Sequence, residues 1–372
     1  MKEYLLDDVF IFHHGKAIKP TRGDIPIYGS NGIIGKTTDR LYEDAIIIGR
    51  VGTCGSIYRC KGYFWASDNT IVVKAKRNFS IDYCYYLLKT IPLKNYAGGS
   101  AQPLITQGTI KSLKSMMPCI EKQNRIASIL SAYDDLIETN QKQIKLLEEA
   151  AQRLYKEWFV DLKFPGHEKT KIIDGVPEGW EKDRADVFFN MSIGKTPPRA
   201  EKQWFTVGGN GTPWISISDM GNSGTYVFNT AEALTAEAIS KYKVKVVPED
   251  TVLVSFKLTI GRVSITTTNT CTNEAIAHFL ISDKTLREYT YFYLKCFEYD
   301  SLGNTSAISK AVNSKIIKGM PFVMPAHGTV EKFYRIAKPI FDAIKDKQNM
   351  NLQLAEARDR LLPKLMNGEI EV

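Results

Sequence analysis

The sequence predicts an α+β chain: two duplicated α/β domains, related by pseudo-twofold symmetry and separated by two long helices. Three observations predict it. A block starting at Asp44 repeats at Asp250. Each copy holds short β-branched runs cut by glycine clusters. Each copy also leads into a long helical segment with an apolar heptad.

The duplication comes first. Asp44–Ile57 aligns without gaps on Asp250–Val263, and the same displacement carries Tyr83–Lys89 onto Tyr289–Lys295 and Ser100-Ala101 onto Ser306-Ala307. Asn69 and Asn273 match at nearly that displacement. At the start of each copy, Asp8-Val-Phe10 matches Asp186-Val-Phe188 and Gly15-Lys16 matches Gly194-Lys195. A period this long means a duplicated domain rather than a solenoid. At 372 residues, with roughly 150 per domain, two or three units are expected.

Within each copy, Ala45–Ile48, Asn69–Val73, Thr251–Val254 and Ala275–Ile281 read as strands, and Asp82–Lys89 and Glu288–Lys295 as tyrosine-rich helices. Glycines punctuate them at Tyr28–Gly35, Gly49–Gly55, Gly98–Gly99, Gly208–Gly211 and Gly221–Gly224.

From Cys119 to Phe164 no Gly or Pro occurs, while Pro118, Pro165 and Gly166 bracket the segment. Ile126, Leu130, Tyr133, Ile137, Asn140, Ile144, Leu147, Ala151, Leu154 and Trp158 alternate four and three apart, a seam that keeps one stripe on a partner helix. At about 1.5 Å per residue, Ile126 to Trp158 spans roughly 48 Å, more than a small domain's core needs. Asn140 in the seam can fix register. The second helix, near Val330 to Asn367, places Phe333, Ala337, Ile340, Ile344, Leu354 and Leu361 on its stripe. Lys347, Asn351 and Arg358 fall on it too, and a shift to Met350 would imply a local break. The expected boundaries are a domain over 1–118, a helix over 119–164, a linker over 165–178, a domain over 179–326 and a helix over 327–372. The second helix is the nearest available partner for the first; a bundle inside each domain is the alternative.

Composition narrows the function classes. Apolar residues at 44% and charged residues at 24% are globular values. Lys plus Arg number 49 against 41 Asp plus Glu, a net +8 compatible with a polyanionic partner. The six cysteines form no C-x-x-C pair, which argues against a structural zinc site, and the chain is too large to need a disulfide framework. No apolar run reaches the roughly 18 to 20 residues that span a bilayer, and Met1–Asp8 lacks a signal-peptide pattern. No membrane role and a cytoplasmic location are expected.

The order of several segments resembles the specificity subunits of type I restriction–modification systems. Gln123–Asn140 and Gln152–Asp161 look like the two ends of the family's central helix, and Val176–Trp180 with Gly194–Pro197 like the entry to a second recognition domain. Arg358–Ile370 is similar to the closing helix, and Pro26–Gly35 to one class of first recognition domain. The resemblance spans essentially the whole chain. It implies a non-catalytic subunit in which each target-recognition domain reads one half of a bipartite sequence in double-stranded DNA. Two antiparallel coiled-coil helices would set the spacer. It also implies two adenine-modifying methyltransferase subunits as partners, joined by restriction/translocase subunits. S-adenosylmethionine, ATP and Mg would be bound by those partners and no cofactor by this chain. The chain begins almost at once with the first recognition domain, so both long helices are expected to follow their domains.

DNA-contact candidates combine chemistry with position. Tyr28, Ser30, Asn31 and Lys36 lie on a Gly-rich segment, Arg50 and Thr53 just after a strand. Lys195 and Arg199 flank a Thr-Pro-Pro turn; Lys257, Thr259 and Arg262 follow the strand equivalent to that before Arg50. Arg suits guanine and Asn adenine, whereas Lys, Ser and Thr more often hold the backbone. Trp65, Trp204 and Trp214 read as packing residues. His13 and His14 are adjacent, point apart on a strand, and predict no metal site.

Catalytic readings fail on spacing. Thr196-Pro-Pro-Arg199 has the wrong neighbours for an adenine-methyltransferase motif, and Phe205–Gly209 the wrong glycine spacing for its cofactor loop. Gly35-Lys36-Thr37 and Gly194-Lys195-Thr196 lack the first glycine of a P-loop, with Ser30 and Phe189 in its place. Pro248-Glu-Asp250 followed by Lys257 lacks the second acid of a nuclease. A stand-alone DNA-modifying enzyme and a purely structural coiled-coil scaffold are the weighed alternatives to DNA reading.

Overall fold

The computed structural model describes residues 1–99, 103–302 and 312–372. The Ser100-Ala101 and Ser306-Ala307 match lies outside them. The chain forms two compact units, Met1–Glu138 with Asn351–Val372, and Thr139–Met350.

The first unit holds a six-stranded sheet in the order Phe10–His14, Thr70–Ala75, Tyr42–Gly49, Ile57–Ala66, Ile25–Gly29, Gly32–Thr37. Its first four strands pair antiparallel. The second unit repeats those four as Asn190–Ile193, Ile276–Leu280, Val252–Ser255 and Val263–Thr266, then adds Tyr226–Val227. A short ladder closes each unit, Lys2–Leu5 on Lys114–Met117 and Glu181–Arg184 on Pro321–Met324. The helices Leu6–Val9, Ile81–Thr90 and Gln107–Lys111 recur as Ala185–Phe188, Arg287–Cys296 and Ser314–Lys318. The duplicated sequence is therefore a duplicated fold.

The central strands owe their place to two-sided burial. Alternate residues leave a strand on opposite faces. Ile46, Ile48, Ile71 and Val73 join the core under the Ile81–Thr90 helix, while Ala45, Ile47 and Val72 join a second cluster with Cys60 and Phe64. Val252 and Val254 divide from Leu253 in the same way. Just before each strand's buried run sits an aspartate in the left-handed region, Asp44 at φ 48° and Asp250 at φ 63°. Each is clamped by an arginine that also holds the acid at the start of the following helix. Arg59 reaches Asp44 at 2.6 Å and Asp82 at 2.7 Å; Arg287 reaches Asp250 at 2.5 Å and Glu288 at 2.6 Å. Arg59 comes from a strand and Arg287 from the helix, so one clamp is built by two routes. Burial pushes the Glu288 carboxyl upward against the pull of Arg287.

The units differ beside this shared frame. The first carries the Ile25–Thr37 hairpin on its sheet edge. The second carries a four-stranded sheet of Phe205–Thr206, Glu232–Leu234, Thr212–Ile215 and Cys271–Thr272, centred on buried Trp214, Leu234 and Cys271.

The first long helix spans Ile120–Tyr155 and ends in a π turn, Lys156–Val160. It stops short of the expected Phe164. Leu162 turns left-handed at φ 56°, and Phe164 leaves the helix to pack on Trp180 with ring centres 5.2 Å apart. The expected linker contains its own hairpin, Ile172–Ile173 on Val176–Pro177, turned by Asp174 and Gly175 at positive φ. The second long helix spans His327–Met366; the residues after it are not helical.

Each unit takes part of both long helices. In the first, Ile126, Ala127 and Leu130 share a core with Leu362, Leu365 and Met366, and Asp134 pairs with Arg358. In the second, Ala151, Tyr155 and Trp158 share one with Phe333, Ala337, Phe341 and Ile344. Numbers rise along one helix as they fall along the other, so the segments run antiparallel within each unit. The remaining seam positions Tyr133, Ile137, Ile144, Leu147, Leu154, Ile340, Leu354 and Leu361 are half-buried, and Asn140 is buried. The break expected at Met350 is absent: Met350 is 44% exposed, while Lys347, Asn351 and Arg358 are half-buried on an unbroken stripe. Arg358 persists in the seam because a partner satisfies it. Arg358 donates to Asp134, which also accepts from the Tyr86 hydroxyl at 2.6 Å. The second unit fills the corresponding places with Phe341, Phe292 and Ala151, all buried.

Candidate nucleic-acid interface

One corner is constructed twice. In the first unit, the edge strand Phe10–His14 leads into Gly15-Lys16. A Cβ on Gly15 would overlap the Ser67 carbonyl oxygen, so only glycine lets the turn approach. The Lys16 amide donates to the Ala66 carbonyl at 2.8 Å, and the Trp65 indole N–H donates to the Lys16 carbonyl at 2.7 Å. In the second unit a Cβ on Gly194 would overlap the Asn273 carbonyl oxygen. The Lys195 amide donates to the Thr272 carbonyl at 2.9 Å, and the Trp214 indole to the Lys195 carbonyl at 3.4 Å. Each corner thus projects an exposed lysine from a backbone fixed by a tryptophan strut.

Beside each lysine stands the loop after the central strand. The Gly49 amide bonds the Ser56 carbonyl at 2.8 Å and the Gly55 amide the Gly49 carbonyl at 2.9 Å. Ser255 with Arg262, and Gly261 with Ser255, repeat both bonds at 2.9 Å. Gly55 and Gly261 share left-handed φ values of 82° and 84°. Asn69 ties the first corner together: its carbonyl accepts from the Arg50 amide at 2.9 Å and the Ser30 hydroxyl at 2.6 Å. Ser30, Arg50, Thr53, Lys16 and Asn69 therefore share one end of the sheet, with exposed Asn31 beside Ser30.

Beneath the second corner lies a neutral polar core. His278 is fully buried, with Nδ1 2.8 Å from the Ser192 hydroxyl and Nε2 2.7 Å from the Thr272 hydroxyl. Burial lowers its pKa to about 3, with Lys245 and Lys318 adding to the shift.

The family model described as the type I restriction modification DNA specificity domain matches residues 1–149 and again residues 177–354. The chain belongs to that family. Two matches in one chain agree with the two structural copies.

Among specificity subunits, the chain is 26% identical over 310 residues to that of the type I restriction enzyme MjaIX from Methanocaldococcus jannaschii, covering 78% of this chain and 69% of that one. It is 26% identical over 332 residues to the HindI specificity subunit of Haemophilus influenzae, covering 72% and 71%. Its fold resembles the crystal structure of a type I restriction–modification S subunit from M. genitalium, with a TM-score of 0.64 and 16% identity over 98% and 96% of the two chains.

The other expected contact residues of this specificity-family chain lie elsewhere or are engaged. Tyr28 is half-buried against Tyr58 and Phe64, and burial with the neighbouring Cys60 pushes its hydroxyl up to about 12. Lys36 is exposed, but pairs with Pro26 far along the hairpin from the Ser30 turn. Arg199 bonds Glu232 at 2.6 Å and lies 4.2 Å and 4.5 Å over the Phe205 and Trp214 rings. The Arg262 guanidinium donates to the Ile217 carbonyl at 2.6 Å and presses on Gly221. Lys257 and Thr259 are exposed on the loop tip.

Lys16, Asn69 and Asn273 serve in the sequence only as markers of the repeat. The recurrence of Lys16 as Lys195, each after a glycine that cannot change, was the available signal. Among the described residues, no group of three His, Cys, Asp or Glu side chains could hold a metal ion, and no helix is long and apolar enough to cross a membrane.

Proposed function

We propose that this chain reads a bipartite double-stranded DNA target, one half-site with each unit's corner, and leaves the chemistry to partner subunits. The observation that carries the reading is the corner constructed twice: an exposed lysine on a tryptophan-braced turn beside a loop of fixed backbone and unlike sequence. Fixed amide geometry and lysines suit phosphate positioning, and the unlike tips, Val51-Gly-Thr53 and Lys257-Leu-Thr259, suit different base edges. In this reading Lys16, Ser30, Asn31, Arg50, Thr53, Lys195, Lys257 and Thr259 contact DNA.

Two adenine methyltransferase subunits, holding S-adenosylmethionine, would dock on the two equivalent units, because a duplicated frame offers two like surfaces to two like partners. Restriction/translocase subunits with ATP and Mg would join them, and the assembly would work where the DNA is, in the cytoplasm. The two long helices, each running from one unit into the other, would set the spacing between half-sites.

Mapping methylated adenines in the host genome defines the target. The purified chain with its methyltransferase partner should then bind a duplex carrying both half-sites. Scrambling either half should weaken binding, and raising salt should weaken it steeply. Transfer of labelled methyl groups by the chain alone would replace this reading with the enzyme alternative.

A further inference from the structure

The loop after the central strand has one position where the units part company. Gly52, left-handed at φ 74°, corresponds to Leu258, left-handed at φ 60°. Glycine adopts that backbone freely, whereas leucine is strained in it. Leu258 is also 94% exposed, against 36% for Ile260 two residues on. Within the fold the leucine side chain therefore has two costs, a strained backbone and bare apolar surface. A glycine would serve the loop's bonds equally well, as the first unit demonstrates: Gly55 to Gly49 and Gly261 to Ser255 both close at 2.9 Å. The backbone beneath Leu258 is held firmly, since the Ser255 hydroxyl donates to the Thr259 carbonyl at 2.5 Å and Phe256 is fully buried. Lys257 precedes it, exposed, with its ammonium 5.6 Å from the Phe256 ring.

We propose that Leu258 is a specificity-determining residue of the second unit: its side chain packs on a thymine 5-methyl group in the major groove, with Lys257 on the adjoining phosphate. This rests on the DNA reading above. A single apolar tip beside a cation, on a braced loop, suits one apolar feature on a polyanion. The thymine methyl is the apolar group that the major groove displays. The first unit, with Gly52 at the same place, makes no such contact.

The test uses the full chain with its methyltransferase partner and a duplex carrying the mapped target. Each thymine of the second half-site is replaced in turn by deoxyuridine, which removes only the methyl. One replacement should weaken wild-type binding about fourfold, the worth of one buried methyl-sized group. L258G should lose at least that factor on the thymine duplex and be indifferent to the same replacement. Its melting temperature should be unchanged or higher, because a strained position is relieved and no packing is lost. Full affinity in L258G, or undiminished sensitivity to deoxyuridine, overturns the proposal while leaving the DNA reading intact. So does a rise in 2-aminopurine fluorescence at the step, which would mark a wedge between base pairs instead. Absence of any sequence-specific binding overturns the DNA reading and this proposal with it.

Discussion

Acid should loosen the second unit through one imidazole. His278 is fully buried between two hydroxyls, with no carboxylate bonded to it among the described residues, and its pKa falls from 6.5 to about 3. In the unfolded chain the ring takes a proton near pH 6.5, while in the folded chain it stays neutral down to about 3. The unfolded state thus binds more protons across that window, and stability falls as pH falls through it. The slope is about 1.4 kcal/mol per pH unit, so lowering pH from 7 to 5 removes about 2 kcal/mol through this residue. Glu288, whose pKa is raised, titrates in the opposite sense, so the measurement must be differential. Urea denaturation of wild type and His278→Gln at pH 7 and pH 5 isolates the imidazole. The variant's loss between the two pH values should be smaller by about 2 kcal/mol. Equal losses in the two proteins would refute the burial argument. Because His278 supports Thr272, whose carbonyl holds the Lys195 amide, binding to the second half-site should weaken in acid before binding to the first.

Further outcomes follow from the same contacts. Arg358→Ala should cost about 1–2 kcal/mol in urea unfolding, because partly exposed Asp134 is left, among the described residues, with the Tyr86 hydroxyl alone. Adding Asp134→Phe should recover part of the loss by copying Phe341 and Ala151, and no recovery would argue against the equivalence of the two units. Gly15→Ala and Gly194→Ala should each open one corner, since a Cβ overlaps backbone oxygen; protease should then cut near the substituted turn and leave the other corner whole. Gly52→Ala meets open space yet sits at φ 74°, so it should cost about 1–2 kcal/mol from backbone strain alone. Inserting seven residues into both long helices should change the accepted spacer and keep both half-sites. A change in the half-site bases would count against the helices as spacers.

Legibility followed the range of the physics. The aspartates before the strands and the glycines after them were visible because left-handed backbone tolerates few residues, so Asp44 with Asp250 and Gly55 with Gly261 stayed aligned while their neighbours drifted. The helical seam was visible because its period is local. Arg199 and Arg262 look in the sequence like free cations. Neither is: a glutamate and a carbonyl distant in the chain bond them, and the Phe205 and Trp214 rings cover Arg199. The expected break at Met350 followed from reading polar residues as misfits, when Arg358 in fact meets Asp134 across the seam.

By itself the sequence determined two copies of one fold and two long helices, since each rests on spacing along the chain, and its segments carried the resemblance to the family. Tertiary structure alone decided that each unit takes part of both helices and that the Asp44 and Asp250 clamps draw their arginine from different elements. It also decided which polar side chains remain free for a partner. Those outcomes depend on contacts between residues far apart in the chain. A buried charge or donor must find a partner wherever packing brings one, and no local pattern records where that will be.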